Sequence, residues 1–142
     1  MARSTARAAA MQLIYEHILG GDGGDATLEM IYENLVTEVP AAEPTKDDRN
    51  YTAEVMTGVL EHLSEIDEKI VQFSKDWSLE RMARVDLTIL RLAVYELMYR
   101  KDVPGNVAIS EAVELANQFS EPASSRFING VLGAVLRSLE NA

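Results

Sequence analysis

The residues near the N-terminus combine two cations with an aromatic ring. Arg3 and Arg7 are spaced i,i+4, so they project from one face of a helix, in a stretch without acidic residues. Tyr15 follows Arg7 by eight residues, about 80° round the same helix at about 100° per residue. Arginines that pair with phosphates beside a ring that stacks on a base are typical of single-strand RNA binding. The same residue types also occur on ordinary helix surfaces, so the pattern alone leaves both interpretations open.

A second set of polar residues lies in strongly apolar sequence toward the C-terminus: Asp86, Arg91, Glu111 and Asn129. Burying such a group unpaired costs on the order of several kcal/mol, so these side chains should pair with each other or reach a surface. We expect an internal hydrogen-bond network for Arg91, Glu111 and Asn129. Asp86, near the start of its predicted helix, is expected to be exposed. Gly130, inside a helix, indicates a close helix crossing.

No recognisable catalytic or metal-binding pattern is present in the sequence. The absence of cysteine excludes disulfides, thiolate metal sites and cysteine nucleophiles. The two histidines, His17 and His62, lack the acid-rich spacing of a metal site, and there is no Gly-x-Ser-x-Gly elbow. Ser124 and Ser125 stand at a predicted helix start, where serine is a common cap. We therefore predict that the protein is not an enzyme and uses no metal and no cofactor.

Helical periodicity and helix-breaking residues predict seven helices that position these groups. Their approximate bounds are 4–19, 27–38, 45–63, 64–73, 79–99, 106–119 and 123–139. The fifth is apolar nearly all round, which indicates a central, buried helix. Ser78 is its expected cap, and Glu80 and Arg84 are spaced to pair along it. Without any β-type alternation, the pattern predicts an all-α fold whose short loops favour antiparallel neighbours.

The net charge of −10 is concentrated in the middle of the chain. Residues 1–19 carry +1, residues 20–68 carry −11, and residues 69–142 are balanced. An acidic middle can face away from RNA, since electrostatic fields fade within roughly 8–10 Å at ordinary salt. No apolar run approaches the roughly 20 residues that span a bilayer, and the N-terminus lacks the apolar core of a signal peptide. We expect a cytoplasmic protein with no membrane partner.

Several short blocks, taken in their order and spacing, carry a family resemblance. They cover residues 7–15, 77–82 with 85–86, 89–93 with 95–96, 102–104, 109–116 and 127–132. Through them the chain resembles the NusB family of bacterial transcription antitermination factors over essentially its full length. The resemblance implies two packed helical bundles within a single RNA-binding domain. The first three helices, about 1–63, would form one bundle, and the last four, about 64–142, the other.

The resemblance also implies that the chain is one half of an RNA-binding pair. NusB-like proteins join the small-subunit ribosomal protein that doubles as NusE. The pair binds the single-stranded boxA element and helps RNA polymerase to read through terminators, notably on ribosomal RNA operons. The RNA-binding residues implied here are Arg3, Arg7, Tyr15, Ser124, Arg126 and Phe127. The partner-binding residues implied are Glu80 and Asp86.

Two other functions remain open. One is the RNA-binding domain at the front of ribosomal RNA cytosine methyltransferases, which is similar in fold. We expect this function to be the less favoured one, because the chain stops at Ala142 without a catalytic domain. A structural helical oligomer, associating through its apolar helices, is the other alternative. The sequence does not reveal whether the free protein is a monomer or a homodimer, or which RNA it prefers. Its few cations predict modest, salt-sensitive RNA binding without the partner.

Overall fold

The computed structural model describes residues 2–18, 46–74 and 77–141, with side chains from residue 6 onward. These residues form six α-helices and one 3-10 turn, with no β-strand among them, and they confirm the predicted all-α fold. The helices are α1 (Ala2–Ile18), α2 (Lys46–Glu61), α3 (Leu63–Phe73), α4 (Arg84–Tyr99), α5 (Gly105–Phe119) and α6 (Pro122–Glu140). The predicted helix at 27–38 lies outside the described residues.

The chain divides into two compact units, Met1–Thr57 and Gly58–Ala142, and each is described by itself. The division of a single domain near residue 63 stays a prediction. None of the helices in the described ranges is long and apolar enough to cross a membrane.

Small side chains line the buried surface of α1 in the N-terminal unit. Ala6, Ala9 and Ala10 are completely buried, as is Ile14. The Thr52 hydroxyl of α2 donates to the backbone oxygen of Ala6 at 3.0 Å. This hydrogen bond is possible because alanine side chains let the two helices approach closely.

The helical spacing of Tyr51, Val55, Val59 and Leu63 predicts an apolar stripe on α2, and the structure confirms it for the first three. Tyr51, Val55 and Val59 are buried at the helical spacing i, i+4, i+8. Leu63, which the sequence placed on the same stripe, is half-buried and begins α3.

The central helix of the C-terminal unit is α4, which packs against α3, α5 and α6. Every residue from 87 to 97 is buried except the half-buried Arg91, which confirms the prediction from apolar content. Arg91 donates through Nε and Nη2 to the two carboxylate oxygens of Asp67 at 2.8 and 2.9 Å, joining α4 to α3. The prediction that Asn129 joins a buried network with Arg91 is wrong, because Asn129 is exposed on α6.

The segment before α4 is not the helical turn that the sequence predicted. Leu79–Arg81 forms a 3-10 turn, and Ser78 makes no side-chain capping hydrogen bond. Met82 and Ala83 are then extended, with ψ of 145° and 139°. The extended backbone buries Met82, which is 7% exposed, and α4 begins only at Arg84. The predicted pairing of Glu80 with Arg84 along one helix is therefore wrong, because the two residues lie in different elements.

Two glycines show where helices of this unit do and do not approach closely. A Cβ on Gly105 would lie 2.7 Å from Leu136 Cδ1, so a side chain at the start of α5 would require the Leu136 side chain of α6 to shift. A Cβ on Gly130 would meet nothing within 4 Å, leaving aside neighbouring residues and the helix's own backbone, and Gly130 is exposed. The predicted close crossing at Gly130 is therefore wrong.

Candidate nucleic-acid interface

An open cavity of about 450 Å³ lies between the segment that precedes α4 and the start of α6, within the C-terminal unit. Its volume is in the usual range of ligand-binding clefts. The lining residues are Trp77, Arg81, Met82, Ala83, Asp86, Glu121, Ala123, Ser124 and Phe127.

Two aromatic rings form one wall of the cavity. The ring centroids of Trp77 and Phe127 are 6.0 Å apart, with an interplanar angle of 61°, an edge-to-face contact. Trp77 remains 48% exposed. The exposed Arg81 places its guanidinium carbon 5.6 Å from the Trp77 ring centroid, within cation–π distance. The wall can therefore stack a planar ligand beside a positive charge.

A buried carboxylate forms the polar end of the cavity. Asp86 is 8% exposed, and it accepts hydrogen bonds from the hydroxyls of Ser120 at 2.5 Å and Ser124 at 2.7 Å. The two hydroxyl oxygens lie 3.0 Å apart. Each hydroxyl has one proton, so with both protons directed at the carboxylate neither serine donates to the other.

The burial of Asp86 corrects the prediction that it is exposed. Since α4 begins at Arg84, Asp86 is its third residue and faces Ser120 at the end of α5 and Ser124 at the start of α6. The N-terminal end of a helix also favours a negative charge. Among the residues that the structure describes, no cation pairs with this carboxylate, so hydroxyls and the helix end stabilise it.

The predicted site residues of the C-terminal unit thus fall near one another. Asp86, Ser124 and Phe127 line the same cavity. Arg126 is exposed in the same turn of α6 as Phe127, and Glu80 is exposed in the 3-10 turn. Ser124 itself is 7% exposed, and its hydroxyl proton is already donated to Asp86.

The predicted residues of the N-terminal unit include one that is not on the surface. Arg7 is 4% exposed, and its guanidinium carbon lies 5.7 Å from the ring centroid of Tyr51. Arg7 is therefore not exposed as a phosphate contact would require, because Tyr51 of α2 lies against it. Tyr15 is half-buried. Arg3 is in the first turn of α1, and its side chain lies outside the described part of the structure.

Sequence reasoning missed three residues of the cavity region: Trp77, Arg81 and Ser120. The available indication was that the only tryptophan of the chain precedes an arginine by four residues. Ser120 had no such indication, because its role depends on Asp86, 34 residues away in the chain.

Comparison with known proteins shows the family. The NusB family model matches residues 4–137, and the chain belongs to the NusB family. The transcription antitermination protein NusB of Geotalea daltonii is 43% identical over 141 residues, covering 96% of this chain and 95% of the relative. The protein of the same name from Acetivibrio thermocellus is 42% identical over 137 residues, covering 96% and 90%.

Solved structures agree with this assignment. The structure of T. maritima NusB superposes with a TM-score of 0.81 at 31% identity, covering 96% of this chain and 92% of that one. A crystal structure of the antitermination factors NusB and NusE in complex with dsRNA has a TM-score of 0.79 at 25% identity, covering 96% and 97%.

Proposed function

We propose that the chain is an RNA-binding adaptor of bacterial transcription antitermination. It binds single-stranded boxA RNA together with a NusE-type ribosomal protein and supports read-through by RNA polymerase, notably on ribosomal RNA operons. The observation that carries the proposal is the cavity, where two aromatic rings, a buried carboxylate and the exposed Arg81 occur together. The family relative solved with NusE and RNA supports both partners.

The protein binds RNA in the cytoplasm and does not catalyse a reaction. Phe127 offers a ring face to a base, and the exposed Arg126 beside it supplies a cation for phosphate. Glu80 is exposed next to the cavity and is placed to meet a basic partner protein. In the N-terminal unit, we propose Arg3 and Tyr15 as RNA-binding residues. Arg7 contributes to RNA binding indirectly, because its contact with Tyr51 fixes α1 against α2.

An anisotropy titration with labelled RNA tests the proposal. A boxA RNA and a scrambled RNA of equal length are titrated with the protein, alone and with the partner ribosomal protein. We expect boxA to bind more tightly than the scrambled RNA, and the partner to widen this difference. Equal affinity for both RNAs, with and without the partner, would contradict the proposal.

Two matched variants locate the RNA contact. Arg126→Ala should weaken RNA binding and reduce the slope of log K against log salt by about 0.7, the value for one phosphate on a single strand. Arg137→Ala is the control, because Arg137 is also exposed on α6 but lies about 16 Å further along the helix at about 1.5 Å per residue. Equal losses in both variants would mean that the interface is misplaced on α6.

A further inference from the structure

The RNA contacts proposed in the C-terminal unit, Phe127 and Arg126, do not include the exposed ring of Trp77. Trp77 is the only tryptophan in the chain, and almost half of it remains in contact with solvent. Aromatic side chains that line a cavity are typical of ligand-binding sites. Arg81 lies over this ring with its guanidinium carbon 5.6 Å from the centroid, so the face of the ring is accessible to another group.

Resting on the proposed RNA-binding function, we propose that Trp77 is the stacking platform for one unpaired nucleotide of the bound RNA. The base enters the cavity against the Trp77 ring, with Phe127 at the ring edge. Arg81 moves from the ring to the phosphate or to the other side of the base. Nucleobases stack on aromatic rings and also on guanidinium planes, so Trp77 and Arg81 can offer two stacking surfaces.

The polar end of the cavity selects which base enters. A carboxylate has about four lone-pair positions, and the hydroxyls of Ser120 and Ser124 use two of them. The remaining positions of Asp86 accept N–H groups but repel carbonyl oxygens. Cytosine and adenine present an amino group at the position where uracil presents a carbonyl oxygen. The one pairing-edge donor of uracil, its ring N–H, lies between two carbonyl oxygens, which the carboxylate repels. The cavity therefore favours an amino-bearing base over uracil.

The position of Arg81 favours RNA over a cationic side chain of a partner protein. The guanidinium already lies over the Trp77 ring, so a lysine or arginine that entered against this ring would meet a like charge. A neutral base meets no such repulsion, and its phosphate is attracted to the same arginine. Glu121 also lines the cavity and is exposed like Arg81, so solvent screens both charges. A neutral base is favoured because Arg81 lies directly over the ring.

Intrinsic fluorescence provides a direct test, since Trp77 is the only tryptophan. The full-length protein is titrated with single-stranded boxA RNA, with the partner ribosomal protein carrying no tryptophan, and with both. We expect RNA to quench the emission of Trp77, with or without the partner. Emission that responds to the partner alone and does not change when RNA is added would assign the cavity to the protein partner and overturn the proposal.

Affinity measurements with variants complete the test. Trp77→Ala should weaken boxA binding about tenfold or more, the usual effect of removing one stacked base. Trp77→Phe should restore most of the loss. Val107→Ala is the matched control, because Val107 is 39% exposed and does not line the cavity. If boxA still binds selectively while Trp77→Ala and Val107→Ala behave alike, the stacking proposal fails and the adaptor function stands.

A series of boxA RNAs, each with one abasic position, identifies the nucleotide in the cavity. One abasic site should weaken binding to the native protein but not to Trp77→Ala. Uridine at that position should weaken binding to the native protein, and Asp86→Asn should reduce this penalty, because an amide can donate to the uracil oxygen. Circular dichroism confirms that each variant is folded. A native protein that tolerates every abasic position equally would overturn the proposal.

Discussion

Replacing Asp67 with alanine removes the carboxylate that accepts both hydrogen bonds from Arg91. The Nε–Oδ1 and Nη2–Oδ2 distances are 2.8 and 2.9 Å, and the side chains of Arg91 and Asp67 are only 11% and 19% exposed. Hydrogen bonds to charged groups contribute about 1.5–3 kcal/mol each, and breaking a buried pair costs about 3–5 kcal/mol. We expect the free energy of unfolding to fall by about 3 kcal/mol, since residual exposure lets water reach the arginine.

Urea unfolding followed by circular dichroism measures this loss. In a chain of 142 residues, about 3 kcal/mol corresponds to a fall in Tm of about 10 °C. Asp102→Ala is the control, because Asp102 is 54% exposed in its pair with Arg100, and such surface pairs contribute about 0–1 kcal/mol. The double variant Asp67→Leu with Arg91→Met should recover most of the stability, because it leaves no charge unpaired. A double variant as unstable as the sum of the two single variants would refute the reasoning.

Two further predictions concern the same unit. The hydrogen bond from the Tyr99 hydroxyl to Glu65, together with burial and the charge of Glu65, raises the pKa of Tyr99 to about 12. The unfolded tyrosine ionises near pH 10, so this stabilisation is complete below pH 10 and is lost as the pH rises to about 12. The difference between the absorbance titrations of the native protein and Tyr99→Phe should show the ionisation of Tyr99 at this pH. In Glu65→Gln, the Tyr99 ionisation should move toward pH 10. A difference curve that Glu65→Gln leaves unchanged would contradict the assignment. For the glycines, Gly58→Ala should destabilise by about 1–3 kcal/mol, because the new Cβ would overlap the ring of Tyr95. Gly130→Ala should stabilise by about 0.5–1 kcal/mol, because its Cβ enters open space within a helix. Thermal unfolding measures both effects, and changes in Tm of the same sign for the two variants would contradict this prediction.

The central position of α4 was predictable from sequence because burial of a helix on all sides requires apolar residues on all sides. The break before it was not predictable in this way. Neither glycine nor proline marks Met82 and Ala83, which are extended. Their conformation depends on the burial of Met82. The residues that bury Met82 are not part of the local sequence pattern, so the pattern does not predict the break. The same break then decides which residues begin α4.

The sequence by itself determined the helical class, the family and the absence of cysteine chemistry, because these follow from periodicity, residue order and composition. Tertiary structure decided which polar residues are available for binding. Arg7 is buried because Tyr51, 44 residues later, lies beside it. Asp86 is buried because serines 34 and 38 residues later donate to it. Trp77, by contrast, stays exposed at the cavity mouth. Whether a charged or aromatic side chain meets solvent or protein depends on residues distant in the chain, and only the folded structure brings those residues together.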